Sequence, residues 1–87
     1  MKGGKTMQYN FPAIKNYEDI PLSMQLRKIK EELEELERAE TDFQRTSEAL
    51  DLLHAVETYL RILELFIDVD DVKEYIIEKN QERGYYE

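Results

Sequence analysis

Residues 30–54 read KEELEELERAETDFQRTSEALDLLH, and this stretch decides the fold because it joins two helical patterns through a short polar connection. Four of its acidic residues form two pairs with a spacing of three, namely Glu32 with Glu35 and Glu48 with Asp51. That spacing places both members of a pair on one side of a helix. The pairs mirror each other about the Thr41–Asp42 step, so an antiparallel hairpin that turns there brings all four carboxylates together.

The apolar residues on either side of this step predict an all-α fold. A first helix over residues 21–40 has one apolar stripe: Leu22, Leu26, Ile29, Leu33 and Leu36. A second helix over residues 43–67 has two stripes side by side, the first Ala49, Leu53, Val56, Leu60 and Leu63, the second Leu52, Ala55, Tyr59, Ile62 and Phe66. A third helix over residues 71–83 follows an aspartate-rich cap and ends near Gly84. We expect an antiparallel hairpin plus this third helix.

Length and composition indicate how the core is completed. The chain has 87 residues, 41% hydrophobic and 37% charged, which suits amphipathic helices but is marginal for a self-sufficient core. We therefore expect homo-oligomerisation, as a homodimer or homotetramer, to complete a four-helix-bundle-like core. Residues 1–20 predict an irregular N-terminal arm whose aromatic side chains pack on the helices, and residues 21–87 the helical domain.

Charge and residue types exclude several classes of function. The net charge of −8 opposes binding to a nucleic-acid polymer, although a small phosphorylated ligand can still bind through metal ions. No cysteine is present, which excludes disulfides and thiolate metal sites. No apolar run approaches the length of a membrane span, and residues 1–15 do not resemble a signal peptide. We expect a cytoplasmic protein.

Glu48 is the anomalous acid. On a helical wheel it falls inside the apolar arc of the second helix, whereas Asp51 lies at the edge of that arc and Glu32 and Glu35 lie beside the stripe of the first helix. A carboxylate in such a position is expected to be paired or to coordinate a metal. Two explanations stay open from the residues alone: basic side chains that form buried ion pairs, or a hard divalent cation such as Mg²⁺.

The basic candidates lie near the end of the third helix. Lys79 and Arg83 share one line of the helix with a spacing of four, and Asn80 lies beside them. Such residues are commonly cations at a helix C-terminus, favoured by the helix dipole. In the functional interpretation they bind phosphate groups. His54, three residues after Asp51, is expected to turn away from the apolar arc and to be either exposed or in contact with a metal ligand, rather than a metal ligand itself.

Residues 31–35, EELEE, followed after twelve residues by Glu48-Ala49-Leu50-Asp51, resemble the EExxE…ExxD signature of the MazG-like, all-α nucleoside triphosphate pyrophosphohydrolases. Residues 78–86, EKNQERGYY, are similar to that family's KNxxRGYY-type ending, and residues 51–58 resemble its small phage- or prophage-borne members. The resemblance covers residues from about 22 to 86.

The resemblance implies a hydrolase that converts nucleoside or deoxynucleoside triphosphates to a monophosphate and pyrophosphate with Mg²⁺ or Mn²⁺. The metal ligands it implies are Glu32, Glu35, Glu48 and Asp51. It assigns the general base to Glu31 or Glu35, without choosing between them, and phosphate binding to Lys79, Asn80 and Arg83. It also implies dimerisation. A competing hypothesis is a non-catalytic helical homodimeric interaction or regulatory protein, in which the carboxylates pair with Lys79 and Arg83.

Overall fold

The computed structural model describes residues 7–86 and contains three α-helices, α1 (Leu22–Arg38), α2 (Asp42–Leu63) and α3 (Val69–Glu82). This confirms the predicted all-α fold, a helical hairpin followed by a third helix. Each helix ends within about four residues of the predicted boundary; the largest difference is at α2, which ends at Leu63 rather than at residue 67. Within residues 7–86, no helix is long and apolar enough to span a membrane.

The connection between α1 and α2 is as short as the sequence predicts. Ala39 has an extended backbone, and Thr41 caps α2 by accepting a hydrogen bond from the Gln44 N–H at 3.1 Å. The Gln44 side chain accepts in return from the Thr41 N–H at 3.2 Å, which completes a capping box. The chain reverses here, and α1 packs along α2.

The side of α1 that faces α2 differs from the predicted stripe. The residues of α1 that are buried or partly buried follow steps of three and four: Leu22, Gln25, Ile29, Glu32 and Leu36. Gln25 is 5% exposed and donates a hydrogen bond from Nε2 to the Ala55 carbonyl oxygen at 2.9 Å. Leu26 and Leu33 remain 42% and 45% exposed, so the prediction that they are buried is wrong for the single chain. The reason is that α1 packs mainly against α2, which covers a single stripe of α1.

The second predicted stripe of α2 supplies most of the small core. Ala55 and Ile62 are buried, and Val69 at the start of α3 is the third buried apolar residue of residues 7–86. Phe66, predicted to extend this stripe, lies beyond the end of α2 and is 75% exposed. The hairpin thus leaves much of the apolar arc of α2 uncovered.

Helix α3 is well capped but packs hardly at all on the hairpin. The Asp68 carboxylate accepts from the Asp71 N–H at 3.1 Å, and Gly84 follows the helix with a positive φ of 76°, which glycine adopts without steric cost. Apart from Val69 in its first turn, the apolar residues of α3 are exposed: Val72, Tyr75, Ile76 and Ile77.

Residues 7–20 run along α2 and contain one 3-10 turn, Tyr17–Asp19. The buried carboxylate of Glu57 holds this arm: it accepts from the Asn10 N–H, the Asn10 Nδ2 and the Phe11 N–H at 2.8 to 3.1 Å. Arg61 donates to the Phe11 carbonyl oxygen at 2.7 Å, and its guanidinium lies 4.3 Å from the Tyr9 ring centroid. Residues 1–6 of the predicted arm lie outside the described residues.

Candidate functional site

Three of the four mirrored carboxylates meet across the hairpin. One carboxylate oxygen from each of Glu32, Glu48 and Asp51 lies within 4.8 Å of the other two. Glu32 comes from α1, while Glu48 and Asp51 come from α2 and are kept on one side by their spacing of three. The antiparallel connection at residues 39–41 brings the two helices into this register. We call Glu32, Glu48 and Asp51 the acidic triad.

The triad lies near the surface rather than in a closed core. Glu32 and Glu48 are partly exposed and Asp51 is exposed. Glu48, which the helical wheel places inside the apolar arc, is partly buried in the single chain, because α1 covers only one side of α2. Partial desolvation raises the pKa of Glu48, and so do the negative charges of Asp51, Glu35 and Glu32. Both effects favour a bound proton or a bound cation near Glu48.

Lys28 is the cation that contacts the triad. Its Nζ lies 2.9 Å from Glu32 Oε2, one helical turn away. The hydrogen bond to Glu32 and the charge of that carboxylate raise the pKa of Lys28. Within residues 7–86, no ion pair joins the triad to Lys79 or Arg83. With three carboxylates and one ammonium group, the site keeps an excess of negative charge.

The three carboxylate oxygens of the triad are suitable ligands for a hard divalent cation. Carboxylate oxygens are the ligands that Mg²⁺ and Mn²⁺ prefer. Because none of the three carboxylates is fully buried, water or substrate oxygens have room to complete the coordination of a cation. Oxygen ligands about 2.1 Å from one octahedral Mg²⁺ are about 3.0 Å apart when adjacent and about 4.2 Å apart when opposite, so three oxygens that lie within 4.8 Å of one another need to move closer together by as much as about 1.8 Å. Side-chain rotation of exposed residues supplies such a shift.

The two candidate base residues occupy different surroundings. Glu35 lines a small cavity of ≈ 170 Å³ together with Glu48, and its Oε1 lies 3.8 Å from an Arg38 guanidinium nitrogen. It is not one of the three converging carboxylates, although its charge acts on Glu48. Glu31 is exposed and lines neither of the cavities described here.

The predicted phosphate-binding residues lie apart from the triad in the single chain. Lys79 is on the last turn of α3, with its Nζ 5.7 Å from the Tyr75 ring centroid. Asn80 donates to the Tyr86 hydroxyl at 3.2 Å. The Arg83 guanidinium is 5.9 Å from the Tyr85 ring centroid. None of the three lines either of the two cavities, of ≈ 500 and ≈ 170 Å³, that contain triad residues among residues 7–86.

A cleft of ≈ 500 Å³ adjoins the triad and shares two of its members. Its lining residues come from the arm, α1 and α2: Ile14, Ile20, Met24, Gln25, Lys28, Glu32, Asp51, His54 and Ala55. His54 is partly buried and stacks on Phe11, rather than turning away to the surface. Gln25 is a further buried polar residue of this lining. Its position, three residues after Leu22 and four before Ile29, could have indicated its burial from the sequence.

Glu57 is a buried acid whose importance the sequence analysis did not predict. It is 3% exposed, and its hydrogen-bond donors lie 46 and 47 residues away in the chain. Burial opposes its ionisation, but the hydrogen bonds from Asn10 and Phe11 and the charge of Arg61 outweigh burial and lower the pKa of Glu57. No local pattern around Glu57 indicates these partners.

No protein-family model, curated protein or solved structure matches this chain. The assignment of a function therefore depends on the residues and geometry of the site.

Proposed function

We propose that the protein is a metal-dependent nucleotide pyrophosphohydrolase, which hydrolyses nucleoside or deoxynucleoside triphosphates to a monophosphate and pyrophosphate. The observation that carries the proposal is the acidic triad, three carboxylates within 4.8 Å from two helices, beside a cleft large enough for a nucleotide. The resemblance of residues 31–35, 48–51 and 78–86 to the MazG-like hydrolases adds support, and we propose membership of that family.

The position of each acidic residue determines its proposed role. Glu32, Glu48 and Asp51 are proposed to hold Mg²⁺ or Mn²⁺, with Glu35 as a further ligand or as the general base. When bound, the metal supplies a positive charge that neutralises the phosphates and polarises the reacting bond. Between the two base candidates, Glu35 is favoured over Glu31 because its charge acts directly on Glu48. The base would accept a proton from the water that attacks the α-phosphorus. The bond between the α-phosphorus and the oxygen that bridges the α- and β-phosphates breaks, and that oxygen leaves with pyrophosphate.

The surface of the single chain supports the proposal of a homo-oligomer. Residues 7–86 bury three apolar side chains, whereas Leu26 and Leu33 on α1 and Phe66 beyond α2 remain exposed. The radius of gyration is 15.0 Å, compared with about 12 Å for a compact chain of this length. A second copy that packs against α1 and α2 would complete a four-helix bundle. In such a dimer α3 of one protomer can bring Lys79, Asn80 and Arg83 to the triad of its partner.

A pyrophosphate-release assay tests the proposal. The purified chain is assayed with Mg²⁺ or Mn²⁺ over a panel of ribo- and deoxyribonucleoside triphosphates. We expect Glu48→Gln and Asp51→Asn to abolish release. Glu34→Gln is the matched control, because Glu34 is an exposed acid of α1 outside the triad. Undiminished release in both triad variants would refute the assignment of the site.

The alternative is a non-catalytic helical interaction or regulatory protein, which the large exposed apolar surface favours. Thermal melting with and without Mg²⁺ or Mn²⁺ separates the two. A cation that binds only the native state raises the melting temperature. An unchanged melting temperature at millimolar metal, together with no turnover, would favour the alternative.

A further inference from the structure

We propose that the Lys28 ammonium is the internal counter-ion of the acidic triad, and that Lys28 leaves Glu32 when a divalent cation binds there. This inference rests on the proposed function, because it concerns the metal site of that function. It identifies Lys28 as a residue that lowers the affinity of the triad for the metal and stabilises the triad while no metal is bound.

Lys28 is held at the triad by the helix that carries Glu32. The two residues are four positions apart on α1, and the Lys28 Nζ lies 2.9 Å from Glu32 Oε2. The negative charge of Asp51, on the facing helix α2, also raises the pKa of Lys28. The ammonium therefore interacts with triad members from both helices of the hairpin. Within residues 7–86, no second ion pair reaches the triad.

One ammonium group neutralises only part of the charge of the triad. The negative charges of Asp51, Glu35 and Glu32 still raise the pKa of Glu48, although Lys28 is paired with Glu32. A divalent cation has twice the charge of an ammonium group and can contact all three carboxylates at once. It is therefore the stronger partner for the triad, and Lys28 is the weaker one.

The exposure of the two paired side chains indicates which of them moves. The side chain of Lys28 is 54% exposed, whereas that of Glu32 is 14% exposed. Both line the cleft of ≈ 500 Å³ together with Asp51, so the ammonium group and an incoming cation share one accessible space. Lysine has a flexible stem and a strongly hydrated ammonium group, and an ion pair with an exposed partner contributes little. Withdrawal of Lys28 into water therefore costs little free energy.

The ion pair and metal coordination use the Glu32 carboxylate differently. The contact with Lys28 runs along α1 and holds one of the two carboxylate oxygens. Coordination requires oxygens of Glu32, Glu48 and Asp51, which lie within 4.8 Å of one another, to move closer together across the hairpin. Loss of the Lys28 contact frees the Glu32 carboxylate for this movement.

Mn²⁺ binding to the full chain, without nucleotide, tests the inference. Electron paramagnetic resonance measures the free Mn²⁺, and thermal melting in EDTA measures the stability of the metal-free protein. Lys28→Met removes the charge but keeps a long, unbranched side chain of similar helix propensity. We expect this variant to bind Mn²⁺ about three- to tenfold more tightly, because one unit charge is removed from beside a divalent cation in an accessible site. Its metal-free melting temperature should fall by about 2 to 4 °C, because the ion pair is lost while the repulsion among the carboxylates remains.

Two further variants serve as controls. Lys30→Met removes the same charge from an exposed position of α1 that lines neither cavity, and should change the affinity for Mn²⁺ by less than about twofold. Lys28→Arg retains the positive charge and should bind Mn²⁺ with nearly the affinity of the wild type. The two expected effects of Lys28→Met have opposite signs, whereas a residue that only supports the local fold would weaken both metal binding and stability.

The outcomes separate this inference from the proposed function. Unchanged or weaker Mn²⁺ binding by Lys28→Met, or an equal gain in Lys30→Met, would overturn the counter-ion role while leaving the metal site in place. Absence of Mn²⁺ binding in every variant would overturn both the inference and the proposed function. Tighter binding by Lys28→Met, together with no pyrophosphate release by the wild type, would keep the inference and refute the hydrolase.

Discussion

Replacing Glu57 with glutamine tests the attachment of the arm most directly. The carboxylate is 3% exposed and accepts from three N–H donors, of which the Asn10 N–H is shared between both oxygens. Glutamine has nearly the same shape but only one acceptor oxygen, so in either orientation its NH₂ group faces N–H donors of Asn10 or Phe11. The substitution thus leaves at least one of the three donors without its acceptor, removes the negative charge from the remaining hydrogen bonds and places N–H donors against each other.

The magnitude follows from these contacts. Hydrogen bonds to a charged group contribute about 1.5 to 3 kcal/mol each, and the arm can detach rather than remain unsatisfied. We therefore expect Glu57→Gln to lower the free energy of unfolding by about 2 to 4 kcal/mol, near the upper end for a single substitution. Glu37→Gln, an exposed glutamate of α1, is the control and should change stability by less than about 0.5 kcal/mol.

Urea unfolding followed by circular dichroism at a fixed protein concentration measures the difference, because self-association would make stability concentration-dependent. Hydrogen exchange at the Asn10 and Phe11 amides reports on the arm itself, and both amides should lose protection. Equal stability of Glu57→Gln and Glu37→Gln, with unchanged protection of the two amides, would refute the role assigned to this carboxylate.

The pH dependence has a defined sign. The pKa of Glu57 is lowered in the native state from its ordinary value of 4.5, so its ionised form stabilises the fold above that value. This contribution should disappear as the pH falls through the native pKa, below about 4.5. The Glu57→Gln variant should lose less stability than the wild type over the same acidic range.

Three further predictions concern the triad, self-association and the hairpin. The pKa of Glu48 is raised, so its charged form is unfavourable for the folded state. Glu48→Gln should therefore raise the melting temperature of the metal-free protein at neutral pH. It should also abolish any increase in melting temperature that Mg²⁺ causes. Leu33 is 45% exposed on the side of α1 that does not face α2. Leu33→Glu should therefore convert the proposed dimer to a 10.4 kDa monomer in sedimentation experiments. An unchanged mass would exclude Leu33 from the interface. Thr41→Ala removes the cap of α2 and should cost about 1 kcal/mol in urea unfolding, whereas no change would show that the capping box contributes little.

The local features of the fold could be predicted from the sequence because their causes are local. The apolar periodicity and the polar Thr41–Asp42 step predict a hairpin, and Thr41 caps α2 through contacts within four residues. The spacing of three places Glu48 beside Asp51, and the mirror relation to Glu32 anticipates the convergence of these three carboxylates. Glu35 is the exception, because its side chain lies toward Arg38 and the smaller cavity.

Only the tertiary structure decided which stripes are buried and which distant residues meet. On the wheel of α1, Gln25 and Leu26 lie about 100° apart, on either side of Leu22 and Ile29. It is the approach of α2 that buries Gln25 and leaves Leu26 exposed. Burial also depends on how many neighbours a helix has, and α3 has almost none within the chain. Glu57 and His54 acquire their surroundings from an irregular arm that arrives from more than forty residues away. Periodicity contains no information about such contacts, since they depend on the path of a segment that has no repeating pattern.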